Sequence, residues 1–146
     1  MKSFLAPLFA LFIIAGCSSE TETPKEETPA AHPAVAVADE ILTAIANGDA
    51  EGLQKHLNEV NRKKLTLDKI KKYLPEMKRK TGGVTGISEL VKGRRFDKTG
   101  EVFGKIRVEG REVMGVSLML EEGEYRFEDI NSPSVNRYEE LGKLWP

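Results

Sequence analysis

The chain has 146 residues, of which 31% are charged and 40% hydrophobic, a balance that fits a soluble globular body and excludes a multi-span membrane protein. Its formal net charge of −1 points away from nucleic acid. One cysteine excludes an internal disulfide and a thiolate metal cage.

The chain opens MKSFLAPLFALFIIAGCSSE, with Lys2 as the only charge ahead of an apolar run from Phe4 to Ala15. A helix over that run spans only about 18 Å, against roughly 30 Å of bilayer hydrocarbon, and Pro7 weakens it. Residues 1–16 are therefore expected to be a targeting segment and are set aside from the fold. Ile14-Ala15-Gly16-Cys17 resembles the lipobox of bacterial lipoproteins. That resemblance implies cleavage between Gly16 and Cys17, a diacylglyceryl thioether on Cys17 and acylation of the new amine. Two or three chains hold a protein firmly where one holds it only marginally. Ser18, Ser19 and Glu20 follow, with no aspartate after the cysteine to favour inner-membrane retention, so the expectation leans to the outer membrane, facing the periplasm.

Residues 17–33 carry four glutamates and three prolines with no large apolar side chain, and are expected to form a disordered tether reaching a little over 20 Å. His32 is read as a spacer residue there. A single domain is expected over 34–146.

Ala34 to Asn47 places Val37, Ala38, Ile41, Leu42 and Ile45 at helical spacing, stopped by Asn47-Gly48. Asp49 should cap a second helix with Leu53, Leu57 and Val60 on one stripe. Thr66 should open a third, with Leu65 and Ile70 as a hydrophobic staple and Tyr73, Leu74 and Met77 on its apolar face. Pro75 is expected to kink or split that helix, and Gly82-Gly83 to end it. From Val84 the period changes to two. Strands are expected over 84–96, 102–108, 112–120 and 125–130, with turns at Glu109-Gly110 and Glu122-Gly123. Within the third, Met114, Val116, Leu118 and Leu120 should face one way. Val135, Tyr138, Leu141 and Leu144 then suggest a short C-terminal helix ending at Trp145, which either packs on the domain or anchors a partner. The fold expected is α+β, three helices on a curved antiparallel sheet of about four strands.

The break Asn47-Gly48-Asp49-Ala50 and the closing Glu122-Gly123-Glu124-Tyr125-Arg126-Phe127 resemble motifs of nuclear transport factor 2-like domains in the cystatin-like superfamily. The resemblance spans Val35 to Ile130. It implies a cone-shaped sheet whose open end can hold a small apolar ligand, and relatives that are isomerases, dehydratases, cyclases or binding modules. It also implies that a homodimer can pair through its sheets. The Asp, His or Tyr that such enzymes carry in the cone is not identified here. His56 is read as an edge or solvent-facing residue before a catalytic base, and Tyr73 as core with its hydroxyl at the rim of a pocket.

No hydrolase triad, phosphate loop or metal cluster can be assembled, so no cofactor is called for. Charge is polarised instead: Arg62 to Lys80 holds nine basic and two acidic residues, and Glu121 to Glu140 seven acidic and two basic. Arg62, Lys63, Lys64, Lys69, Lys71 and Lys72 are either a solvated face or a surface for anionic headgroups or an acidic envelope partner. The reading that results is a lipid-anchored envelope protein acting by binding. The alternatives are a small isomerase or cyclase, and a purely interacting protein that docks through Trp145 or the basic helix.

Overall fold

The computed structural model describes residues 31–95, 98–132 and 138–146. Cys17, Gly16, the targeting segment and nearly all of the tether lie outside these residues. Four helices precede five strands: α1 Pro33–Asn47, α2 Ala50–His56, α3 Glu59–Lys64, α4 Leu67–Thr81, β1 Glu89–Arg95, β2 Lys98–Val108, β3 Arg111–Glu121, β4 Glu124–Asn131 and β5 Tyr138–Trp145. The fold is α+β, with the helices packed on one antiparallel sheet of order β4-β3-β2-β1-β5. The sheet is open, not closed.

Local chemistry sets each helix boundary. His32, expected as a spacer, caps α1: its Nδ1 accepts from the Ala34 N–H at 3.2 Å, and Pro33 follows where a missing N–H costs nothing. Gly48 ends the helix in the left-handed conformation. Asp49 caps α2 through the Gly52 N–H at 2.9 Å. The stripe expected to run on to Val60 stops at Leu57, because Asn58 leaves the helix and caps α3. Leu57 is buried and forms a parallel bridge with Phe127, while the Asn58 N–H donates to the Phe127 carbonyl at 3.0 Å. Asn61 Nδ2 adds a bond to the Glu128 carbonyl. The α2–α3 junction thus covers the edge of β4, and Val60 is left exposed.

Thr66 caps α4 as expected, and Leu65 and Ile70 both pack into the core. Pro75 does not split the helix. A proline removes only its own bond to the carbonyl four residues back; here that carbonyl is Lys71's, on the exposed side where water can take the bond. Ile70, Leu74 and Thr81 meanwhile hold both halves to the core. Gly82 ends α4 at φ 67°, and a Cβ there would stand 2.8 Å from the Val108 side chain, so only glycine fits.

α1 is the centre of the core, with Ala34, Val35, Ala38, Ile41, Leu42, Ala44 and Ile45 buried. Against the helices pack Leu90, Val102, Ile106, Met114, Val116, Leu118 and Phe127, which share one sheet face through the pairs Val102↔Leu118, Ile106↔Met114 and Leu118↔Phe127. Leu120, expected to join them, is exposed near the hairpin end of β3. The opposite face is not simply solvated. Val91 and Phe103 are paired across β1 and β2 and both are buried there. Gly115 makes room: a Cβ on it would lie 1.8 Å from the Phe103 ring.

The C-terminal helix is not formed; Tyr138–Trp145 is an edge strand beside β1. The pairing Gly93↔Glu140, Lys92↔Gly142, Val91↔Lys143, Leu90↔Trp145 skips Leu141 and Leu144. Those leucines sit at two bulges, and bulge spacing imitated the helical period. Residues 133–137, including Val135, lie outside the described part.

Candidate functional site

Polar and charged groups collect in four places, three of them beside open clefts. The first is the basic stretch of α3 and α4. Arg62 Nη2 donates to the Leu57 carbonyl at 3.0 Å, Lys63 pairs with Glu59 at 2.5 Å, and Lys69 Nζ donates to the Lys64 carbonyl at 3.2 Å. Lys71 and Lys72 make no ion pair among the described residues, nor do Lys78 and Arg79. Beside them a cleft of about 260 Å³ runs between the end of α1 and α4, lined by Ile45, Asn47, Gly48, Lys71, Leu74, Pro75 and Lys78. Tyr73 lies outside this lining and is 50% exposed, not a core residue.

The second is a groove of about 650 Å³ between α3 and the β3–β4 hairpin, lined by Glu59, Arg62, Glu121, Glu122, Glu124 and Arg126. Some of its polar groups are bonded within the chain. Glu121 accepts from the Glu59 N–H at 3.1 Å, and Arg126 pairs with Glu124.

His56 forms the third, in a cleft of about 410 Å³ that Asp39, Glu40, Asp49 and Lys55 also line. Its Nε2 lies 3.4 Å from Glu40 Oε2. Partial burial pushes the imidazole pKa below the usual 6.5, Arg126 and Lys55 push the same way, and Glu40 opposes them. The ring is partly open to water, and a general base needs a substrate held against it in a drier place.

The fourth lies on the sheet face opposite the helices. Lys105 Nζ donates to Glu89 at 2.7 Å and to Glu140 at 2.9 Å, joining β2, β1 and β5. Its bond holds the Glu89 carboxyl below the usual range. Burial alone would lower the Lys105 pKa, and the bonds to Glu140 and Glu89 outweigh it to leave it raised. Sequence reading missed this cluster because it depends on strand register, which no local pattern prints.

Trp145 is half-buried at the end of β5 and packs against the core. Among the described residues no group of three or more His, Cys, Asp or Glu could hold a metal ion, and no helix is long and apolar enough to cross a membrane. No family model, characterised protein or solved structure matches the chain.

Proposed function

We propose that the chain is a lipid-anchored bacterial envelope protein, held through Cys17 in the outer membrane and facing the periplasm, whose domain binds and does not catalyse. The anchor rests on Ile14-Ala15-Gly16-Cys17 behind a short apolar run that carries a single lysine. One observation supports binding above all: the described clefts are surface features rimmed by charged side chains, while the space between helices and sheet is filled by Ile41, Leu42, Ile45, Leu53, Leu57 and Leu118. A dry cavity with a base in it is what proton-transfer chemistry would need. The relation to nuclear transport factor 2-like domains belongs to the same proposal. Its support is that Asn47-Gly48 ends α1 and Asp49 caps α2.

His56 beside Glu40 favours the second reading, a small isomerase or cyclase. The openness of its cleft weighs against it.

Metabolic labelling with an alkyne fatty acid tests the anchor. A bacterium making the full chain should label it and carry it in the membrane fraction, and Cys17→Ala should abolish both. Equal labelling of the two chains, or an unacylated soluble product from the wild type, would sink the reading.

A further inference from the structure

α4 carries more positive charge than its fold requires, and the charge is placed. At 100° per residue, Lys71 and Lys78 lie on one flank of the helix and Lys72 and Arg79 on its back, with Pro75 between the two pairs. The four cations cover about a third of the circumference, and the two members of each pair stand about 10 Å apart along the axis. Glu76 turns away from this arc and pairs with Lys80 at 2.8 Å. Asp68 shares the arc, but it sits in the first turn, where it complements the helix N-terminus. The tetrad is therefore exposed and makes no ion pair among the described residues. Lys78 and Arg79 sit in the last turn, where they complement the helix C-terminus, but Lys71 and Lys72 have no such role. Four like charges within about two turns repel one another, a repulsion that an anionic surface outside the chain would relieve.

Two further observations say what that surface is. Between Lys71 and Lys78 the cleft floor is apolar, formed by Ile45, Leu74 and Pro75, so cations stand at the rim of a nonpolar crease. Headgroups and the first carbons of a lipid match that order of polarity. The second observation is reach. The His32 and Tyr125 rings meet at a tilt of 57° with centroids 5.4 Å apart, which puts the start of α1 at the acidic β3–β4 hairpin. The tetrad lies at the other end, beside Gly48. α1 is about 22 Å long. Sixteen residues run from Cys17 to His32, a length of chain whose coil dimension is about 20–24 Å, which matches the distance needed for the far end of α1 to touch the bilayer that would hold the anchor.

We propose that Lys71, Lys72, Lys78 and Arg79 form a docking surface for the anionic headgroups of a bilayer, laying the domain on the membrane by α4. The proposal rests on the anchor reading for its biological setting and for the reach argument, whereas attraction between the tetrad and acidic lipid does not depend on acylation. Net charge does not produce it: the chain as a whole is at −1, and the acidic β3–β4 hairpin lies near the opposite end of α1.

The test is vesicle co-sedimentation of the full-length Cys17→Ala chain, which removes acylation from the measurement. Vesicles of phosphatidylcholine are compared with vesicles containing phosphatidylglycerol, at low and raised salt. Four cations at about fivefold each predict a preference for phosphatidylglycerol of roughly 100- to 1000-fold that shrinks with salt. Lys71→Gln, Lys72→Gln, Lys78→Gln and Arg79→Gln together should abolish it. Removing as much charge elsewhere, by Lys55→Gln, Lys63→Gln, Lys92→Gln and Lys143→Gln, should leave most of it. No preference for phosphatidylglycerol overturns the proposal and leaves α4 to an acidic protein partner. So does a preference that survives the tetrad substitutions, or one that both sets abolish equally. Failure of the anchor would show instead as an unacylated wild-type chain, in an experiment that does not involve α4.

Discussion

α1 and α4 are each fifteen residues long and lie against each other, yet they solve opposite problems. α1 buries seven side chains and carries only Asp39 and Glu40 as charges. α4 buries three, along one narrow stripe, and surrounds them with Lys69, Lys71, Lys72, Lys78, Arg79 and Lys80. The first helix holds the domain together. The second needs only enough burial to stay attached, which frees most of its circumference for another surface. Stability and function should therefore separate by helix.

Truncation in α1 should produce the largest change. Ile45 is fully buried, and Ile45→Ala should cost about 2–5 kcal/mol. Urea unfolding followed by the fluorescence of Trp145, the only tryptophan, measures it. A cost under 1 kcal/mol would break the comparison from the α1 side. In α4 the most informative single change should act in the other direction. Pro75→Ala restores the missing bond to the Lys71 carbonyl and should stabilise the protein by about 1–3 kcal/mol, after allowance for the freer unfolded chain. A loss of stability would show that the proline is needed for the helix to sit as it does.

A smaller effect belongs to the α1–α2 contact at His56. Because its folded pKa lies below 6.5, the unfolded chain binds that proton more readily. The stability this provides is complete above pH 6.5 and is lost as pH falls through the lowered value. Thermal melts from pH 7.5 down to pH 5 should show declining stability, and His56→Gln should flatten part of that slope. An unchanged slope in the variant would remove His56 from the account. Smallest should be the tetrad: replacing all four cations by glutamine relieves their mutual repulsion but removes two last-turn charges that complement the helix C-terminus, so stability should move by a few tenths of a kcal/mol at most. A loss above 1 kcal/mol would mean that these side chains serve the fold after all.

The helical half was largely legible in the sequence because its signals are local. Asp49, Thr66, Gly48 and Gly82 mark boundaries that the structure keeps within a residue or two. Pro75 misled, since a proline breaks a helix only when neither water nor packing compensates, and exposure is not written in the pattern. The sheet was legible in its turns, Glu109-Gly110 and Glu122-Gly123, where both residues take positive φ. β5 was not, because two bulges gave a strand the spacing of a helix, and its partner β1 lies some fifty residues earlier. Of the candidate surface, the basic run was visible as composition. Which cations are paired and which stand together needed the helix's orientation, and that is why Lys78 and Arg79 join the site while Lys63 pairs within α3 and Arg62 and Lys69 turn to the carbonyls of Leu57 and Lys64 on the preceding segments.

Lysine footprinting on the membrane tests the central claim most directly. The full-length acylated chain, reconstituted in vesicles containing phosphatidylglycerol, would be acetylated briefly and compared by mass spectrometry with the same chain in phosphatidylcholine. The account predicts slowed modification at Lys71, Lys72 and Lys78 in the acidic vesicles, with Lys55, Lys92 and Lys143 unchanged. Equal modification at all six, or protection centred on Lys143 and the β5 edge, would contradict it.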